Sequence, residues 1–235
     1  MLAGLGAAAA APSFSADRVL YKKIGASGDA IPAVGMGSWR TFDVGLDGPL
    51  SLSRRAVLKT FLEQGGALID SSPMYGSSQA VIGASLAALD RPTIFSADKV
   101  WVEGREAGRR QIGQSLTDWR LRKFDLLQVH NLVDWRTHLP TLFEMKAAGA
   151  VRYVGVTSYA GLRYDDMARI VATEPLDFIQ LTYNIADREA EERLLPLAQD
   201  KGVAVIANRP FREGALTERL RGVPLPAVAA EIGAA

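Results

Sequence analysis

The chain has 235 residues, a mass of 25.3 kDa and a formal net charge of +1, with 27 Lys and Arg against 26 Asp and Glu. Without a basic excess to neutralise phosphates, the composition argues against nucleic-acid binding. At 48% hydrophobic and 23% charged residues, it excludes general disorder. Cysteine is absent, which removes disulfides, thiolate metal sites and cysteine nucleophiles, and the two histidines, His130 and His138, are too few for a three-histidine metal site.

Residues 1–16 (MLAGLGAAAAAPSFSA) carry no charged side chain and are mostly Ala, Gly and Leu. The segment is too short and too weakly apolar to span a membrane. Two readings stand: an Ala-rich tail, or the apolar and small-residue end of an export signal whose basic start lies upstream. The expected location is cytoplasmic for the chain as written, and periplasmic under the second reading. Residues 17–235 read as one domain, with no linker, charge run or low-complexity stretch.

Val19 to Val34 reads as a hairpin turning near Gly25–Gly28. Strands are then expected at Ala33–Met36, Ala67–Asp70, Thr93–Ser96, Leu126–Val129, Tyr153–Val156, Phe178–Leu181 and Val203–Ala207. Between them lie helices near Leu52–Gln64, Gln79–Leu89, Ala107–Leu121, Leu139–Ala148, Tyr164–Thr173 and Asp187–Lys201. The strand runs are apolar rather than alternating, as suits strands covered on both faces. A strand roughly every 25–30 residues is the rhythm of a (β/α)8 TIM-type barrel. A doubly wound sheet is the alternative, but Gly35-Met36-Gly37-Ser38-Trp39 lacks the full glycine fingerprint. Seven strands are visible. After the seventh come Arg212–Leu225 and Pro226–Ala235, so the eighth βα unit is expected to be missing and the chain is read as truncated.

In a barrel, reactive groups stand at the C-terminal ends of strands. The second strand is followed by Asp70, Ser71, Ser72, Pro73, Met74, Tyr75 and Gly76, the third by Asp98 and Lys99, and the fourth by His130 and Asn131. Thr157 and Ser158 follow the fifth, Gln180 lies at the sixth, and Asn208, Arg209, Pro210 and Phe211 follow the seventh. A phenol with a pKa near 10 is a poor acid at neutral pH. A neighbouring ammonium stabilises the phenolate and lowers that pKa, and a carboxylate keeps the ammonium charged. An imidazole beside the phenol can orient a carbonyl oxygen. The set can protonate an oxygen but cannot deliver a hydride, which requires a cofactor.

The run Leu68-Ile69-Asp70-Ser71-Ser72-Pro73-Met74-Tyr75-Gly76 resembles the signature of the aldo-keto reductases. So do Ser96-Ala97-Asp98-Lys99-Val100, Leu127-Gln128-Val129-His130-Asn131 and the opening Ile31–Trp39. The resemblance implies a barrel that reduces an aldehyde or ketone with NADPH. It makes Tyr75 the general acid, Lys99 and Asp70 the partners that tune it, and His130 the residue that orients the carbonyl. It places Gly37, Ser38, Thr157, Ser158, Gln180, Asn208, Arg209, Pro210 and Phe211 at the cofactor, and Trp39, Met74, Trp101 and Asn131 around a small-molecule carbonyl substrate. It implies no metal, nucleic-acid or membrane partner. Two positions depart from the family pattern: Ser158 stands where Asn is usual, and Asn208 where an aromatic stacks on the nicotinamide. A non-catalytic barrel that binds nicotinamide cofactor, or an inactive fragment, is the alternative. A hydrolase built on Asp70 and His130 has neither a serine elbow nor a metal cluster to support it.

Overall fold

A computed structural model describes residues 19–25 and 27–232. The expected tail at 1–16 and the last three residues, 233–235, lie outside the described residues. The chain opens with an antiparallel hairpin, β1 (Tyr21–Lys23) and β2 (Ala30–Pro32). Seven parallel strands follow in one sheet, in strict chain order: β3 (Met36–Gly37), β4 (Leu68–Asp70), β5 (Phe95–Val100), β6 (Phe124–Val129), β7 (Val151–Thr157), β8 (Phe178–Thr182) and β9 (Ala204–Asn208). Between these strands run α1 (Pro49–Glu63), α2 (Ser78–Ala88), α3 (Arg105–Trp119), α4 (Trp135–Ala147), α5 (Tyr164–Thr173) and α6 (Leu194–Lys201), and α7 (Ala215–Leu220) follows β9. All-parallel βα alternation in sequential strand order is the (β/α)8 TIM-barrel type of fold. Among the described residues, β3 and β9 end the sheet.

Local chemistry explains the joints. Pro49 opens α1, where its missing N–H costs nothing. Gly202 closes α6 in the left-handed conformation, φ 66°, at which a β-carbon is penalised. Two apolar clusters divide the interior. Ile24, Leu68, Phe95, Ala97, Leu126, Tyr153 and Phe178 fill the inside of the sheet. A larger cluster, including Ile69, Val100, Leu127, Val154 and Ile179, lies between the strands and the helices. Both faces of β4 to β8 are therefore buried, which is why their sequences show no polar alternation.

Three expectations are corrected. β5 runs Phe95–Val100 rather than Thr93–Ser96, so Asp98 and Lys99 lie within the strand and not beyond it. Charged residues there disguise a strand whose faces are both covered. Helix α4 starts at Trp135, ahead of Leu139: the Asp134 carbonyl accepts the first helical bond from Thr137 N–H at 3.0 Å, and the Thr137 hydroxyl donates to the Asp134 carboxylate at 2.7 Å. The segment Asp187–Lys201 is not one helix but a 3-10 turn at Glu189–Glu191 followed by α6. Pro196 falls in the first turn of α6, where its missing N–H would have no helical partner in any case, and so suits that later start.

Candidate active site

Asp70 is the last residue of β4, Lys99 lies near the end of β5, and His130 directly follows β6. Tyr75 comes from the turn between β4 and α2. Gly76 holds that turn at φ 58°, and a β-carbon there would overlap the Asp43 carboxylate. Asp43 in turn accepts from the Ser77 N–H at 2.8 Å and the Ser77 hydroxyl at 2.9 Å, anchoring the end of the Tyr75 turn.

Lys99 is 1% exposed, so its ammonium must be paired. It donates to Asp70 Oδ2 at 2.6 Å and to the Ser71 carbonyl at 2.7 Å. Burial alone pulls its pKa down, but the Asp70 carboxylate and the neighbouring phenol outweigh that and hold it above the ordinary lysine value. Its Nζ lies 5.3 Å from the centroid of the Tyr75 ring. The Tyr75 and His130 rings meet edge-on, with centroids 5.8 Å apart and planes at 85°. Burial pushes the Tyr75 phenol up, Lys99 pulls it back, and Asp70 and Asp98 push it up further. Lys99 lowers it, as expected, but the net position is above the ordinary tyrosine value because desolvation is the larger effect. His130 is pushed down to about 3 by burial and by the Lys99 charge, so it is a neutral imidazole at neutral pH. Its Nδ1 lies 2.9 Å from Ser72 Oγ.

The remaining expected residues lie around the same mouth. Gly37 ends β3 in register with Asp70. Ser38 is buried and its hydroxyl donates to Ser71 Oγ at 2.8 Å. Thr157 Oγ1 accepts from the Asn131 N–H at 3.1 Å and keeps its own proton to donate. Gln180 is buried in the middle of β8, in register with Thr157 of β7. Ser158 and Asn208 are differently placed. The Ser158 hydroxyl donates to the Leu162 carbonyl, and the Asn208 amide is spent between the Thr182 hydroxyl (2.7 Å) and the Ser158 carbonyl (3.0 Å). Arg209 pairs with Glu213 at 2.7 Å and lies 6.0 Å from the Tyr159 ring centroid. Pro210 and Phe211 are exposed. Trp39, Met74 and Trp101 are partly exposed apolar side chains in the loops after β3, β4 and β5. Asn131 has a left-handed backbone, φ 53°, just past His130.

Sequence reasoning missed Ser72 as the partner of His130, Gln79 as the partner of Asp98, and Ser115 as the partner of Gln79. Ser72 sits inside the quoted motif, so its position was available. Gln79 and Ser115 carry no signal, because their role depends on helix packing.

Such a cluster at the C-terminal ends of adjacent strands defines a barrel of the enzyme-bearing TIM type. Residues 33–223 match the Aldo/keto reductase family, and the chain belongs to it. It is 28% identical over 216 residues to aldo-keto reductase YhdN of Bacillus subtilis, an alignment covering 85% of this chain and 64% of that protein. It is also 28% identical over 229 residues to the NADH-specific methylglyoxal reductase of Escherichia coli, covering 83% and 68%. The chain thus spans 64% and 68%, about two thirds, of these two curated relatives. Among solved structures, it superposes on the thermostable aldo-keto reductase Tm1743, determined with the inhibitor epalrestat, with a TM-score of 0.76 and 27% identity, covering 91% of this chain and 81% of that one.

Proposed function

We propose that this chain reduces a small aldehyde or ketone to an alcohol, with NADPH as the hydride donor and Tyr75 as the general acid. The observation that carries this reading is the buried Lys99–Asp70 pair beside Tyr75 and His130 at one mouth of the sheet. The buried Gln180 amide and the Thr157 hydroxyl, paired in register on adjacent strands, suit a nicotinamide carboxamide, which supports the fit of a dinucleotide at that mouth. When bound, the dinucleotide supplies the hydride that the protein lacks.

The protein's own part is the proton. The Tyr75 hydroxyl would give its proton to the substrate's carbonyl oxygen as negative charge develops there. The hydroxyl remains protonated until that moment, because burial keeps its pKa high. Lys99 then stabilises the resulting phenolate, and Asp70 keeps Lys99 charged. His130 contributes as a neutral donor in the tautomer in which Nδ1 accepts from the Ser72 hydroxyl, leaving Nε2–H to orient the carbonyl oxygen. Trp39, Met74 and Trp101 offer an apolar rim for a small carbonyl compound.

The test is consumption of NADPH, with NADH in parallel, using methylglyoxal as the probe substrate. Tyr75→Phe should lower kcat by about 10²-fold or more, the usual scale of general acid catalysis. Cofactor Kd, read from fluorescence quenching, should stay the same, since the hydroxyl acts only in the transition state. An undiminished kcat in Tyr75→Phe removes the acid assignment.

A further inference from the structure

Behind the Tyr75–Lys99 pair lies a second acid that the proposed reaction does not use. Asp98 precedes Lys99 on β5 and faces the opposite way, toward the helix layer. It is fully buried, with 0% exposure, in register with apolar Leu127 of β6. The Gln79 amide donates to both its oxygens, at 3.0 Å and 2.8 Å, and also to Ser115 Oγ at 3.0 Å. Gln79 and Ser115 are buried as well. The connectivity is specific: Gln79 lies in the first turn of α2, four residues after Tyr75, and Asp98 is the chain neighbour of Lys99. One buried bond therefore ties the element that carries the phenol to the strand that carries the ammonium.

We propose that Asp98 is a positioning residue for this pair: its carboxylate, held by the Gln79 amide, which Ser115 braces in turn, fixes the Tyr75 turn against β5 and places a second negative charge behind the Lys99 ammonium. The inference rests on the reading of Tyr75 as proton donor. A buried carboxylate with so few donors is costly to ionise. Burial raises Asp98 to about 7, against smaller lowering effects from Lys99, Ser115 and Gln79. Its charge in turn pushes both the phenol and the ammonium toward their protonated forms. The groups facing Asp98 are Gln79 from α2, Ser115 from α3, and Lys99 of its own strand, with Tyr75 and Asp70 across the strand; neither Gln79 nor Ser115 is ionisable. His130, next to Tyr75, titrates at about 3 and is silent near neutrality.

The experiment follows the Tyr75 ring by NMR in protein labelled at tyrosine Cζ, with Tyr75→Phe assigning the resonance. Neither cofactor nor turnover is required. In the wild type, the Tyr75 resonance should step once with a midpoint near 7, as Asp98 ionises and the ring itself stays neutral. Asp98→Asn should abolish the step. If that variant does not fold, Gln79→Leu supplies the second arm: with the amide donor gone, the midpoint should move to higher pH. A wild type with no step, a step that persists in Asp98→Asn, or an unmoved midpoint in Gln79→Leu overturns the proposal. If Tyr75→Phe keeps its kcat while the step is present, the acid reading fails and the clamp survives. If Tyr75→Phe is inactive and the step is absent, the clamp fails alone.

Discussion

At the scale of single residues, the buried ammonium of Lys99 decides most. Two of its three protons go to Asp70 Oδ2 and the Ser71 carbonyl, and the ammonium faces the Tyr75 ring. Lys99→Met removes the only cation hydrogen-bonded to Asp70 among the described residues, and removes the charge that would receive a phenolate. We expect kcat for carbonyl reduction to fall by roughly 10²–10⁴-fold. Lys99→Arg should not restore it, because a planar guanidinium does not fit where a compact three-proton donor sits. Steady-state kinetics on both variants, with folding checked by circular dichroism, settles the matter; wild-type turnover in Lys99→Met would show that the phenol works unaided. Asp70, Tyr75, Lys99 and His130 were legible in the sequence because each sits in a short motif beside its strand. The direction of the Tyr75 shift was not legible. It depends on how much water the fold removes from the ring, and neighbouring residue types do not disclose that.

At the scale of elements, the strands with apolar runs were readable to within a few residues, and Tyr164–Thr173 forms the expected helix without adjustment. The failures share a cause. In β5, inward Ala97 and Lys99 and outward Asp98 and Val100 are all buried, so neither polarity nor period marks the strand. Helix contacts were equally hidden. Gly83, in the middle of α2, packs where a β-carbon would overlap the Asp118 carbonyl and the Trp119 backbone of α3. These are backbone atoms, and they cannot rotate away as a side chain can. Gly83→Ala would otherwise favour α2 by helix propensity, by up to about 1 kcal/mol. Here overpacking should prevail, with a net loss of about 1–3 kcal/mol in urea unfolding. Because α2 also carries Gln79, the same variant should lower kcat through a displaced Tyr75 turn. A stabilised Gly83→Ala would mean that α2 and α3 can part without cost.

At the scale of the whole molecule, chemistry and stability occupy opposite ends of the sheet. The reactive groups crowd the C-terminal strand ends, whereas the hairpin β1–β2 closes the other end by inserting Ile24, 2% exposed, among Leu68, Phe95, Ala97, Leu126, Tyr153 and Phe178. A polar collar surrounds that plug. Arg152 bonds Asp125 at 2.9 Å and Asp29 at 3.1 Å, the Tyr153 hydroxyl donates to Asp29, and Asp125 accepts from the Ser96 N–H at 2.9 Å. These exposed ion pairs add little by themselves; the apolar contact beneath them carries the weight. Truncating Ile24 should therefore destabilise without touching the site. Removing a buried aliphatic side chain costs its transfer free energy plus the cavity left behind, about 2–5 kcal/mol for Ile→Ala. Ile24→Ala should lose that much in urea unfolding while its kcat and KM stay at wild-type values below the unfolding transition. Lys99→Met should show the reverse pattern, with a catalytic loss out of proportion to any change in midpoint. If Ile24→Ala instead lost turnover while still fully folded, the two ends of the sheet would be mechanically coupled, and the hairpin would be part of the catalytic apparatus rather than its floor.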